Sequence, residues 1–182
     1  MVCALVLLDP EQPREREIYA ALEKCMLDMR LLVDGIDGVS AAFADRVAQL
    51  RYRIEPVLMR RGIRMVWEVA PPLSAALRSA DSTTHLGAIV QEALSNALQY
   101  ADATAVRVST CFVWGAQSWW IEVCGNGKGI GLPTYLDGIA AEGRGLSGMA
   151  ERARLAEGDL SVLRADAGGT CIRAVVPFIA PG

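Results

Sequence analysis

Residues 83–101 read TTHLGAIVQEALSNALQYA, and the fold turns on how this stretch is understood. Leu86, Ile89, Val90, Ala93, Leu94 and Ala97 recur at three- and four-residue steps. That is the period of a helix with one apolar stripe against a core. Asp81 or Ser82 stands where an N-cap belongs. Glu92 and Asn96 are four apart, so they stack on one face at the border of the stripe. A carboxylate and an amide held side by side at a core edge can orient a cation and a water. Such a pair alone is usually ordinary helix surface; the chain that follows changes the reading.

Two strand-like runs come next, Ala105–Val113 and Ser118–Cys124, joined by a turn at Gly115-Ala-Gln117. Trp119 and Trp120 are adjacent and so point to opposite sheet faces. The second run leads into Gly125-Asn-Gly-Lys-Gly-Ile-Gly131. A further cluster, Gly143-Arg-Gly-Leu-Ser-Gly148, opens a helix expected over Gly145–Glu157, with Leu146, Met149, Ala153 and Leu155 apolar and Gly158 as its stop. Leu160–Arg164 and Thr170–Pro177 read as strands around a turn at Asp166–Gly169, and Ile63–Val69 as a strand closed by Pro71-Pro72. The expected fold class is α+β: a two-layer sandwich, its sheet mixed but mostly antiparallel, with helices on one face.

This order of motifs resembles the ATP-binding domain of sensor histidine kinases, within the GHKL (Bergerat) superfamily that also holds gyrase, Hsp90 and MutL. EALSNALQYA is similar to the first box of that family, VCGNGKGIG to the second and GRGLSGMAERA to the third. The resemblance implies ATP and Mg2+ as ligands, with Asn96 on the metal and Glu92 as the carboxylate that positions a water or acts as base. It implies nucleotide contacts at Gly125, Asn126, Gly127, Gly129, Gly143, Arg144, Gly145, Leu146, Gly148 and Thr170, with Thr170 beneath the adenine near residue 125. The residue types suit that chemistry. Glycines let a backbone approach closely and take positive φ. Successive N–H groups at a helix N-terminus hold phosphate oxygens, and magnesium takes few protein oxygens.

Two positions depart from the family pattern. An aspartate that accepts the adenine amino group stands in the family where this chain has Gly125. Its loss costs about 1.5–3 kcal/mol, roughly one to two decades in affinity. Many members also carry Lys-His where this chain has Gln99-Tyr100, which removes a positive charge near the phosphates. Arg144 and Lys128 are the nearby basic residues.

The leading third is helical in pattern. Arg14–Ile36 places Ile18, Leu22, Cys25, Met26, Met29, Leu32, Val33 and Ile36 on one side. A further helix is expected over Val39–Arg61, with Phe43, Val47, Leu50, Ile54 and Val57 inward, a kink or early stop at Pro56, and Gly62 as its end. Helices with one apolar face must bury it, and a second copy of the chain is an economical partner. ALVLL, CMLDMRLLVDGID and LRYRIEP resemble the dimerisation and phosphotransfer hairpin of kinases of the NarL and DesK groups. In that family the phospho-accepting histidine lies ahead of the segment matching Val2–Leu8. The only histidine, His85, is in the Glu92 helix. The expected division is residues 1–62 as a dimerisation hairpin remnant and 63–182 as the catalytic domain.

Composition bounds the rest. The chain has 182 residues, is 52% hydrophobic and carries a net charge of −3. That supports a real core and argues against a nucleic-acid surface. Val2–Leu8 is too short to span a bilayer and lacks a basic leader. The five cysteines are scattered with no C-x-x-C, which reads as free thiols in a reducing cytoplasm, with no zinc site. The resemblance implies a homodimer that passes phosphate to a LuxR/NarL-type response regulator, in the cytoplasm or on the cytoplasmic side of a membrane-anchored sensor. A degenerate regulatory module of the same fold is the alternative, and Gly125 and Gln99 favour it. A serine kinase acting on an anti-anti-sigma partner shares the fold but lacks the leading hairpin.

Overall fold

The computed structural model describes residues 43–70, 80–100, 102–129, 144–166 and 168–177. They lie in one compact unit, Val39–Gly182. The expected helix over Arg14–Ile36 lies outside the described residues. The elements run α1 (Phe43–Arg60), β1 (Arg64–Glu68), α2 (Ala80–Tyr100), β2 (Ala105–Val113), β3 (Ser118–Gly125), α3 (Arg144–Leu155), β4 (Asp159–Arg164) and β5 (Thr170–Pro177). The five strands form one sheet in the order β1-β2-β3-β5-β4. β1 pairs parallel with β2, and the other pairings are antiparallel. This is the mixed, mostly antiparallel sheet expected from the strand runs.

The sheet's two faces follow from alternation along β3. Trp119, Ile121, Val123 and Gly125 face the helices: Trp119 meets the Phe43 ring of α1 edge-on at 5.2 Å, and Gly125 lies against Ala97 of α2. Trp120, Glu122 and Cys124 therefore face the other way. Leu86, Ile89, Val90 and Leu94 of α2 are at most 2% exposed. Each such side chain contributes roughly 1.5–3 kcal/mol of burial. The helix begins at Ala80, so Asp81 and Ser82 lie in its first turn and not at the cap expected for them. An aspartate there still meets the positive end of the helix dipole.

α1 buries Phe43, Val47, Leu50, Ile54 and Leu58. Leu58 takes the place expected for Val57, one residue further round the helix. The apolar face of α1 packs on α2 and β1 within this unit. The expected boundary at residue 62 thus falls at the α1–β1 turn, inside the unit. The helix also continues through Pro56 to Arg60, without the early stop. The carbonyl that Pro56 deprives of a donor belongs to Tyr52, an 83% exposed residue, where water can satisfy it.

The ends of α1 and α3, which lead into β1 and β4, use the same device. At α1, Ile63 N–H donates to Leu58 O at 2.9 Å and Gly62 N–H to Met59 O at 3.0 Å, with Gly62 at φ 72°. At α3, Gly158 N–H donates to Ala153 O at 2.9 Å and Glu157 N–H to Arg154 O at 3.0 Å. These are Schellman motifs. In the second, Glu157 takes the positive φ of 60°, and Gly158 is needed for space: a β-carbon there would stand 2.1 Å from Val175 O. Leu155, expected in the apolar face of α3, is 50% exposed.

Candidate functional site

The face of α2 that carries Glu92 and Asn96 meets the start of α3. A β-carbon on Gly145 would stand 2.6 Å from Glu92 Oε1 and 3.4 Å from Asn96 Nδ2. Glycine is what lets the first turn of α3 come this close. The carboxylate and the amide are half-buried and lie beside the first turn of a 12-residue helix, whose leading N–H groups have no acceptor within the helix itself. Leu146 and Met149 anchor α3 in the core beneath, at 8% and 0% exposure. Leu146 therefore holds the helix in place from within the core.

The other two glycine bends meet at the ends of β3 and β5. Gly125 and Thr170 are register partners on the helix-facing side. Gly169, at φ 86°, packs so tightly that a β-carbon would lie 2.1 Å from Gly125 O and 2.9 Å from Gly127 N. Gly129, at φ 73°, rests on the Gly169 backbone, where a β-carbon would be 3.3 Å from its carbonyl oxygen. Only glycine satisfies both demands at these two positions. Asn126 holds the turn from outside. Its Oδ1 accepts from Thr104 N and Ala105 N, each at 2.9 Å, and its Nδ2 donates to Thr104 Oγ1 at 2.9 Å. Both ends of that amide are thus committed to the turn. Lys128 pairs with Asp102 at 2.5 Å, and this carboxylate holds the ammonium above the usual lysine range. The pair ties the turn to the end of α2.

The structure thus brings Glu92, Asn96 and Gly145 together on one side, and Gly125, Gly127, Gly129 and Thr170 on the other. Gly148 lies inside α3, where a β-carbon would meet only the tip of Arg152 at 3.1 Å. Gly143 lies outside the described residues, as do the side chains of Arg144, Gln99 and Tyr100. The donor set suits a nucleoside triphosphate with magnesium. Gly145 leaves between the helix start and Glu92 only the space that a β-carbon would take, the helix start supplies phosphate donors, and Asn96 supplies a neutral oxygen of the kind magnesium takes.

A second constellation lies on the opposite sheet face, and nothing in the sequence pattern singled it out. Glu122 is 5% exposed and is held by Arg173, whose guanidinium stacks 4.6 Å from the Trp120 ring centroid. The free-thiol expectation is corrected at two positions, because Cys124 and Cys171 form a disulfide. The residues are 47 apart in sequence but directly opposite in the β3–β5 register. Cys111 is free and exposed. The one available sequence signal was the charged Glu122 inside the apolar run WWIEVC.

Among the described residues, no helix is long and apolar enough to cross a membrane. No curated protein sequence matches the chain. Solved structures do. The histidine kinase domain of the Erythrobacter litoralis EL346 blue-light activated histidine kinase superposes with a TM-score of 0.60 at 19% identity, covering 86% of this chain and 74% of that one. The ATP-binding domain of PrrB from Mycobacterium tuberculosis gives 0.55 at 19% identity, covering 79% and 99%. The Acinetobacter baumannii histidine kinase AdeS gives 0.57 at 14% identity, covering 92% and 82%. These likenesses establish the fold. The sequence profile of the histidine kinase-, DNA gyrase B- and HSP90-like ATPases matches residues 81–180, more than half of the chain, spanning α2 to β5. With the glycine bends and the Glu92–Asn96 face of α2 arranged as described, the chain belongs to the histidine kinase-, DNA gyrase B- and HSP90-like ATPase family.

Proposed function

We propose that this chain is the ATP-binding catalytic part of a two-component sensor histidine kinase of the NarL/DesK type. It takes ATP with Mg2+ and delivers the γ-phosphoryl group to a histidine on a dimerisation hairpin. From there the group passes to an aspartate on a LuxR/NarL-type response regulator. The observation that carries this reading is the meeting of Glu92, Asn96 and the Gly145 end of α3 in one place.

In this reading the backbone N–H groups of Gly145 and its neighbours hold phosphate oxygens, with Gly143 and Arg144 beside them. Asn96 is the side chain that would hold magnesium, and bound magnesium supplies charge neutralisation on the phosphates. Glu92 accepts a proton or orients a water at the γ-phosphate. The base lies between the Gly125–Gly129 turn and Thr170. Little covalent chemistry is asked of the protein, since phosphoryl transfer depends on positioning and electrostatics. The chain acts as a homodimer in the cytoplasm, through the dimerisation hairpin remnant of residues 1–62.

Titrating ATP and ADP with and without magnesium tests the binding step. Magnesium-dependent ATP binding is expected. Incubating the chain with ATP and a separate histidine-bearing hairpin tests transfer; an unlabelled acceptor at saturating ATP contradicts the kinase reading. A second reading, a regulatory module that signals without catalysis, is favoured by one observation: Gly125 offers no carboxylate at the base position. No ATP binding by the native chain, with binding restored in Gly125→Asp, selects it.

A further inference from the structure

β3 and β5 place three ligand-type side chains together on the sheet face turned away from the helices. The sulfurs of Cys124 and Cys171 and a carboxylate oxygen of Glu122 all lie within 4.8 Å of one another, and the three residues are buried. The two oxygens of Glu122 have different surroundings. Oε2 accepts a hydrogen bond from Arg173 Nε at 2.8 Å and makes an ion pair with Nη2 at 2.6 Å. Oε1 lies 3.1 Å from Cys124 Sγ. A disulfide sulfur has no proton, so with the bond of Cys124 to Cys171 in place this is a contact without a donor. A buried carboxylate oxygen aimed at sulfur suits a state in which the two share a proton or a cation. A cavity of about 740 Å³ adjoins the cluster and is lined by all three residues.

We propose that the reduced form of this cluster binds a thiophilic divalent cation, Zn2+ by its ligand chemistry. The thiolates of Cys124 and Cys171 and Oε1 of Glu122 are the protein ligands, and a water from the cavity is the fourth. Two sulfurs on one zinc, each about 2.3 Å from it, stand ~3.8 Å apart. Side-chain rotation reaches that spacing once the disulfide is open. The opening step balances with a dithiol as reductant. Its thiolate attacks one protein sulfur, its second thiol resolves the mixed disulfide, and the products are two protein thiols and the reductant's own disulfide. Binding the cation then releases the two thiol protons.

Charge supports the assignment. In the oxidised state the Glu122 carboxylate and the Arg173 guanidinium cancel. In the loaded state two thiolates, Glu122 and Arg173 sum to a double negative charge, which a divalent cation cancels. A buried cluster requires such neutrality.

The test is Co2+ titration of the full chain after reduction with a dithiol and its removal under argon. One equivalent is expected to give a thiolate-to-cobalt charge-transfer band that Zn2+ abolishes, and the oxidised chain is expected to give none. Bound Zn2+ should protect Cys124 and Cys171 from alkylation while leaving Cys111 reactive, as read by peptide mass spectrometry. Glu122→Gln should weaken the metal at least about tenfold, as loss of a ligating or ligand-orienting group does. Absence of the band, or protection of other cysteines in place of these two, overturns the proposal. The alkylation pattern is read on the unaltered chain, so a variant that misfolds does not obscure the outcome.

Discussion

Replacing Gly125 with aspartate puts a carboxylate where the end of β3 meets α2, and the structure sets what it costs. Gly125 is not among the residues with positive φ, so aspartate meets no backbone strain there. Its β-carbon would meet only the Cβ atoms of Ala103 at 3.8 Å and Ala97 at 3.9 Å, which is ordinary contact. The position is buried, so the new carboxylate loses hydration in the empty protein and regains a partner when the adenine amino group donates to it. A hydrogen bond to a charged group is worth about 1.5–3 kcal/mol, roughly one to two decades in Kd. Isothermal titration with ATP–Mg should show that gain. GTP, which carries an oxygen where adenine has the amino group, should show none. Without nucleotide the variant should melt lower than the native chain. ATP at a hundred times Kd should restore about 2.7 kcal/mol. A folded variant that gains nothing for ATP, or gains equally for both nucleotides, refutes the placement of the base at Gly125.

Asn96→Ala should make ATP affinity the same with magnesium and with a chelator; a magnesium dependence equal to that of the native chain removes Asn96 from the metal. Gly169→Ala should lower unfolding stability by roughly 1–3 kcal/mol or more, because its β-carbon would run into the Gly125 carbonyl at 2.1 Å. Urea unfolding measures this, and a loss under about 0.5 kcal/mol, the scale of an ordinary surface change, speaks against the close approach. Lys128 titrates above the usual lysine range because Asp102 accepts its hydrogen bond. A raised folded pKa means the pair's contribution is present below the unfolded value and is lost as pH rises through the folded one. In Asp102→Asn the Lys128 pKa measured by NMR should fall to the ordinary value of about 10.4; no change means the pair does not form in solution.

Local signals in the chain were readable and distant ones were not. β2 and β5 could be bounded because alternation and turn glycines mark their ends. Gly62 could be read as a stop because a left-handed cap favours glycine. The same logic fails at α3, where Glu157 carries the positive φ and Gly158 is required by Val175, a residue on another strand. Pro56 reads as a break only while its surroundings are unknown; on an exposed turn the lost hydrogen bond goes to water. Asn126 looks like a ligand within a glycine bend, but its partners Thr104 and Ala105 lie over twenty residues earlier. The Cys124–Cys171 pairing and the Glu122–Arg173 pair depend on the β3–β5 register, which strand pattern alone does not specify. The convergence of Glu92 and Asn96 with Gly145 was legible in outline, because the motif order resembled a known family.

Amide NMR of the chain titrated with ADP–Mg tests most directly whether the Glu92–Asn96 face and the glycine bends form a nucleotide cleft. The largest shift changes are expected at Gly125, Gly127, Gly129, Gly145, Gly148 and Thr170, with the open sheet face around Trp120 and Arg173 left quiet. Saturating changes confined to that open face, or none anywhere at millimolar nucleotide, would contradict the cleft.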